Sequence, residues 1–196
     1  MRLVLASASP ARLRTLRCAG LAPEVVVSGL DESSVDVAEP AELAARLAEG
    51  KAAAVAGRIR GRALVVGCDS VLELDGRAMG KPGTDEEARH RWREMRGRSG
   101  TLHTGHCVVD LTTGRRVVEV GSTGVDFADV DDAEIDAYVA SGEPRHVAGA
   151  FTIDGLGGAF VTGVSGDPHN VVGLSLPLLR RILGSLGYRW TDLWAD

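Results

Sequence analysis

Apolar and polar positions along the first half of the chain alternate between short strand-like runs and helical stripes. Residues 2–6 (RLVLA) read as a buried strand, and a helix starts over 10–16 with Pro10 early, where its missing N–H costs nothing. A second strand is expected over 23–28. Between 39 and 56, the spacing of Leu43, Leu47, Ala48 and Val55 suits an amphipathic helix. Residues 63–68 (ALVVGC) form an apolar run of strand length ending at Asp69, and 71–74 continue extended to a turn at Asp75-Gly76. Thr84 then caps a charged helix over 85–95, with Glu86 and Glu87 in its first turn.

The second half opens with two strands, 101–111 and 116–127, joined through Thr112-Thr113-Gly114. A helix follows over 131–140 with acidic residues in its first turn, matching the helix dipole. Residues 149–173 are glycine-rich and contain a short strand near 159–164, and a helix over 174–186 closes the pattern. Early alternation of strands and helices with late antiparallel strands predicts a mixed α/β fold: a twisted sheet with flanking helices, in two lobes around a central cleft. No repeat or linker interrupts it, so one domain is expected over 1–196.

Composition narrows the function classes. The 196 residues are 44% hydrophobic and 25% charged, ordinary for a globular domain, and no apolar run approaches the roughly 18–20 residues of a membrane span. The first residues lack the layout of a signal peptide, so export is not expected and a cytoplasmic setting is. A net charge of −5 argues against non-specific binding to nucleic acid or anionic lipid. Cys18, Cys68 and Cys107 are odd in number and scattered, which favours buried thiols over disulfides or zinc. Of 22 basic residues, only Lys51 and Lys81 are lysine. Together with abundant alanine, glycine and valine, this is the signature of a GC-rich bacterial genome, where lysine drifts to arginine unless a compact point charge is needed. Composition alone leaves chance open, but each lysine falls beside other candidate residues.

The segment Leu5-Ala6-Ser7-Ala8-Ser9-Pro10-Ala11-Arg12 joins strand to helix through small hydroxyl residues. Free N–H groups at a helix start attract anions, Ser7 and Ser9 add donors, and Arg12 can grip a phosphate with two N–H groups. The plainer alternative is that Ser9 caps the helix and Arg12 lies in solvent. Asp31-Glu32 sits in a polar loop, where paired carboxylates are ordinarily solvated, and Lys51 lies on a helix, where lysine is ordinarily surface charge. Asp69 is more specific, because ligand sites in open α/β sheets lie beyond the carboxyl ends of strands. A carboxylate there can hold Mg²⁺ or orient a water, unless it is merely solvated. Gly80-Lys81-Pro82 places Lys81 in a stiff turn.

Taken in order, Ser-x-Ser-Pro-x-Arg, Asp-Glu, the helical Lys-Ala, Gly-x-Asp and Gly-Lys-Pro resemble the Maf family of nucleoside triphosphate pyrophosphatases, whose fold is Maf/ITPase-like. The resemblance continues through Gly97-Arg98-Ser99, 138–143, Ala148-Gly149-Ala150-Phe151, Gly155-Leu156-Gly157 and Val172-Gly173-Leu174, nearly the whole chain. It implies cleavage of a nucleoside triphosphate between its α- and β-phosphates with a divalent cation, Mg²⁺ or Mn²⁺. Asp69 would accept the proton of the attacking water, and Glu32 would join it in binding metal or water. Lys51 and Lys81 would complete the catalytic set, with Ser7, Ser9 and Arg12 on the triphosphate. A homodimer is also implied, while charge and hydropathy, as above, leave no nucleic-acid or membrane partner expected. The family is associated as well with arrest of septum formation, so the alternative is a nucleotide-binding regulator with little turnover. Such a regulator would need Arg12, Lys51 and Lys81 but could dispense with Asp69 and Glu32; the chain keeps all five.

Three positions depart from the family pattern. Members acting on dTTP and UTP carry two arginines after Ser-Pro, a threonine after the strand-end aspartate and a glutamine in the glycine-rich loop; a branch acting on 7-methyl-GTP carries tryptophan, glutamine and glutamate. Here Ala11, Ser70 and Asp154 match neither, so these three are the candidate specificity positions. Gly166-Asp167-Pro168-His169-Asn170 is closer to the 7-methyl-GTP branch, and His169 is a minor candidate for ligand contact. His103 and His106 lie three apart on a strand and face opposite sides, a poor metal pair. Cys68 should point away from Asp69 into the core, and Trp190 and Trp194 should dock on the body or on a dimer partner.

Overall fold

The structure is a computed structural model that describes residues 1–195. A mixed sheet carries the fold, built from β1 (Arg2–Leu5), β2 (Glu24–Val25), β3 (Ala63–Leu74), β4 (Arg77–Met79), β5 (Ser99–Asp110), β6 (Arg116–Phe127) and β7 (Val161–Ser165). Its order is β2-β1-β3-β5-β6-β7, with β4 paired to the far half of β3. The β1 pairings to β2 and β3 are parallel, and all the others are antiparallel. The flanking helices are α1 (Pro10–Cys18), α2 (Pro40–Ala56), α3 (Asp85–Met95), α4 (Asp132–Ala140), α5 (Pro168–Val172) and α6 (Leu176–Ser185). This is the mixed α/β architecture that the pattern predicted. No helix among the described residues is long and apolar enough to cross a membrane.

Several expected elements are corrected. The apolar run at 63–68 does not end a strand at Asp69: β3 runs on to Leu74, because Asp69 and Ser70 stay paired to Gly105 and Thr104 of β5. What ends nearby is β1, whose last partner on β3 is Val66, so the cleft still opens beyond a strand's carboxyl end. The expected strand at 23–28 is only Glu24–Val25, and β4 and α5 are additional elements.

One face of the sheet is covered by α2. Glu39 caps it by accepting from the N–H groups of Ala41 and Glu42, and Pro40 occupies its first turn. Its buried stripe runs through Ala44, Leu47, Ala48, Lys51, Ala52 and Val55. Small residues there meet glycine on the sheet. A Cβ on Gly67 would lie 2.3 Å from the Ala48 carbonyl oxygen, and one on Gly105 would lie 2.1 Å from that of Ala44. Only glycine permits so close an approach of helix backbone to strand.

The opposite face holds two cores. Leu64, Val66, Cys68 and Val108 pack with Leu16 and the α6 residues Leu179, Ile182 and Leu183. Farther along the same strands, Leu72 and Leu102 pack with Trp92, Met95, Ile135, Tyr138 and Phe151. Successive side chains on one strand face alternate between the faces, so Ser70 falls between Cys68 and Leu72, and Thr104 and His106 fall between Leu102 and Val108. A polar seam therefore separates the cores, and it meets the cleft at Ser70. Cys68 points into the first core as expected, and burial pushes its thiol up to about 11. Burial likewise pushes the Cys107 thiol up to about 12, while Cys18 is exposed.

The close approach of α2 is testable. Gly105→Ala is expected to cost about 1–3 kcal/mol by overpacking, lowering Tm by roughly 3–10 °C. A melting curve superimposable on that of the parent protein would contradict the contact.

Candidate active site

Beyond the carboxyl end of β1 lies a cleft of about 490 Å³, within the range of small-molecule sites. Its walls include Ser7, Ser9, Ala11, Arg12, Glu32, Lys51, Asp69, Ser70, Lys81 and Asp154, so every catalytic, phosphate-binding and specificity candidate from the sequence is brought together there. At its floor, Lys51 is 6% exposed, held in the buried stripe of α2. Its Nζ bonds Asp69 Oδ1 and lies 2.7 Å from Glu32 Oε1. The ordinary expectation of a helical surface lysine fails because the Gly67 contact lays this stretch of helix on the strand carrying Asp69. A buried ammonium needs such carboxylate partners to offset its desolvation.

Glu32 arrives from the loop between β2 and α2, where the Asp31 side chain caps a single 3-10 turn by accepting from Ser33 N–H. Arg58 fixes the start of this loop through the carbonyls of Val27 and Ser28. Partial burial pushes the Glu32 carboxyl upward, but the hydrogen bond and charge of Lys51, with Lys81 and Arg12 nearby, outweigh it and hold the group below the usual range. Lys81 reaches the same space from the turn after β4. The Gly80 carbonyl before it accepts from Gly149 N–H and from Arg91, which makes the turn rigid. Lys81 has no ion-pair partner among the described residues.

Arg12 is buried, not solvated. Its Nε donates to the Gly173 carbonyl at 2.7 Å, and its two Nη groups donate to Ser7 Oγ at 3.2 Å and Ser70 Oγ at 3.1 Å. N–H groups on the guanidinium remain for an incoming anion. Ser9 does cap α1, accepting from Arg12 N–H, so the capping alternative holds for Ser9 while its solvent-exposed arginine does not.

Specificity candidates are distributed differently. Ser70 Oγ is already shared between Arg12 and Thr104 Oγ1, and Thr104 in turn donates to the Asn170 carbonyl. Asp154 is ion-paired to Arg14 of α1, and Ala11 leaves open wall beside them. Sequence reasoning missed Thr104, Arg14, His106 and Asn170. Asn170 sits in the segment already noted at 166–170; its amide nitrogen reaches the Leu102 and Gly121 carbonyls and Thr123 Oγ1, each at 3.1 Å. His169 lies outside the cleft wall, its Nδ1 beside Asp167. His103 joins Ser122 and Glu73, apart from His106. Trp190 packs on the first core, whereas Trp194 covers Gly20 and stays 56% exposed.

A carboxylate pair shared by one buried lysine, with two further cations beside it in a cleft at a strand end, defines an α/β protein built to hold a polyanion. The family model described as Maf-like protein matches residues 2–186. A Streptomyces coelicolor protein named nucleoside triphosphate pyrophosphatase is 62% identical, over 99% of this chain and 95% of its own length. Proteins of the same name from Salinispora tropica (60%; 100% and 88%) and Thermosynechococcus vestitus (55%; 97% and 96%) are also similar. Among solved structures, the Ham1 protein of Staphylococcus aureus overlaps partially, at TM-score 0.45 and 17% identity over 66% of this chain and 73% of that one. The chain belongs to the Maf family.

The seam has a titratable member. His106 Nδ1–H donates to the Thr104 carbonyl, and Nε2 accepts from the Ser175 N–H that leads into α6. Burial pushes this imidazole down from 6.5 to about 4. The folded protein therefore keeps His106 neutral where the unfolded chain takes up a proton, so stability falls as pH drops from about 6.5 towards 4 and is unaffected above. His106→Gln is expected to reduce the stability difference between pH 7 and pH 5 by roughly 2 kcal/mol in urea titrations. Parallel pH profiles for the two proteins would contradict this.

Proposed function

We propose that this protein is a nucleoside triphosphate pyrophosphatase, converting an NTP or dNTP and water into the monophosphate and pyrophosphate and so clearing unwanted nucleotides before a polymerase uses them. The observation that carries the reading is the Lys51 ion pair with Asp69 and Glu32, buried in a cleft that also holds Arg12 and Lys81. The names and identities of the relatives support it. The setting that accompanies the reading is cytoplasmic, with no nucleic-acid or membrane partner, as the composition suggests, and homodimeric, as the family resemblance implies.

In this reading, Lys51, Lys81 and Arg12 spread positive charge over the triphosphate, which suits phosphoryl chemistry that depends on positioning and electrostatics. Asp69 accepts the proton of the attacking water on its carboxylate, and Lys51 fixes that carboxylate's orientation. The negative charge leaving with pyrophosphate is met by the same cations. Ser7 and Ser9 shape the phosphate end, and Ala11, Ser70 and Asp154 are the specificity positions, Ser70 acting through its hydrogen bond to Arg12.

The donor chemistry suits a divalent cation. No group of three or more His, Cys, Asp or Glu side chains among the described residues is arranged to hold a metal. Asp69 and Glu32 alone, supplemented by phosphate oxygens and water, form the sparse oxygen set that Mg²⁺ favours. Such a cation, Mg²⁺ or Mn²⁺, would supply Lewis-acid polarisation of the phosphate and a more acidic water.

The test is incubation with Mg²⁺ or Mn²⁺ and a panel of normal and modified triphosphates, assaying pyrophosphate and orthophosphate separately. Pyrophosphate is the expected product; orthophosphate alone, or no release with binding intact, would refute the reading. Asp69→Asn is expected to lower turnover on the order of 100-fold. Near-normal turnover would remove Asp69 as the proton acceptor.

A further inference from the structure

The wall of the cleft opposite α1 is a glycine-rich segment that contributes Phe151, Thr152, Ile153 and Asp154. Its start is fixed: Trp92 Nε1 donates to the Ala150 carbonyl at 2.8 Å, and Gly149 and Ala150 both adopt positive φ. Beyond Ala150 the segment has no regular structure until β7, apart from a 3-10 turn at Leu156–Phe160. One side chain behind it gathers it together. Glu143, in the turn after α4, takes four donors on its carboxylate: the Tyr138 hydroxyl at 2.9 Å, the Thr152 hydroxyl at 2.7 Å, and the N–H groups of Leu156 and Gly157, each at 3.0 Å. Glu143 itself is not part of the cleft wall.

Two glycines record how tightly the segment wraps this carboxylate. A Cβ on Gly155 would lie 2.4 Å from Glu143 Oε2, and one on Gly157 would lie 2.3 Å from the Tyr138 hydroxyl. Their φ values do not demand glycine; the close approach does. We infer that Glu143 is a positioning residue for nucleotide binding, acting through Thr152, Leu156 and Gly157 to hold the 151–154 wall against the substrate. The inference rests on the cleft being a nucleotide site. Glu143 touches no reacting group, so its loss weakens binding and leaves the chemical step intact. Hydrogen bonds to a charged acceptor are the stronger kind, and losing this set undoes the loop's attachment at three points.

The experiment compares the parent protein with Glu143→Ala, Glu143→Gln and Thr152→Val. Three readouts are taken: kcat and KM for the preferred triphosphate, Kd for α,β-methylene-UTP and α,β-methylene-GTP, and chymotrypsin cleavage at Phe151 and Leu156 well below Tm. Glu143→Ala is expected to raise KM and Kd at least roughly tenfold with kcat within about twofold, and to speed cleavage. Thr152→Val removes one of the four donors at little cost in shape, so it shifts the same quantities less and serves if Glu143→Ala does not fold. Glu143→Gln falls between, because one oxygen remains while an amide N–H now faces a donor. A drop in kcat at unchanged KM, or unchanged KM and cleavage in these variants, would overturn the inference. Failure of the parent protein to bind either analogue or release pyrophosphate would instead refute the nucleotide reading, while the cleavage rates still decide whether Glu143 anchors the segment.

Discussion

The distance between α2 and the sheet sets the rest of the molecule. At Gly67 and Gly105 the backbone of α2 comes down directly onto the strands, with the small side chains Ala44, Ala48 and Ala52 on its underside, while Val55 packs on Val4 and Val65 farther along. Lys51 shares that stripe, so its ammonium is delivered to a buried strand aspartate instead of to solvent. Once there, the charge cannot be left alone. A buried ammonium without a carboxylate is costly, and a buried carboxylate without a cation equally so. Asp69 and Lys51 therefore fix each other, and Glu32 is drawn from its loop to complete the set.

A second constraint follows from the long strands. β3 and β5 pass through both cores, and where the cores part, the inward positions turn polar at Ser70, Thr104 and His106. Buried polar groups must be hydrogen-bonded, and here their partners come from distant parts of the chain. Asn170 meets Thr104, Thr104 meets Ser70, Ser70 meets Arg12, and Arg12 returns to Gly173. The seam thus ties α1 and the α5–α6 connection to the middle of the sheet, and orients Arg12 at the edge of the cleft. Polar continuity that separates two cores also builds the wall of the site.

Much of this was legible in the sequence. The rarity of lysine marked Lys51 and Lys81 as unusual, but the ordinary expectation for a helical lysine was surface charge; its place one turn from both Leu47 and Val55, on the buried stripe of α2, explains why that expectation fails. The extended stretch to Leu74 and the turn at Asp75-Gly76 were legible, but the continuity of β3 was not: a strand end was read at Asp69, and the alternation through Ser70 that joins the two stretches makes sense only beside the seam. Thr104 gave no signal and His106 was weighed only as half of a metal pair, because the contacts that tie them into the seam, to Asn170 and to Ser175, reach more than sixty residues along the chain. Glu143 had a partial one. Gly155 and Gly157 stood out as a motif, but their reason is a carboxylate and a phenol approaching from α4 and its following turn.

The most direct test is a double-mutant cycle in kcat/KM between Gly67→Ala, which lifts α2, and Asp69→Asn, which removes the charge that Lys51 meets. Rates are taken per folded protein at saturating Mg²⁺. If the helix contact acts by holding Lys51 on Asp69, the double variant is about as slow as Asp69→Asn alone. Losses that multiply in full would show that the approach of α2 and the Asp69 carboxylate act independently, contradicting the account.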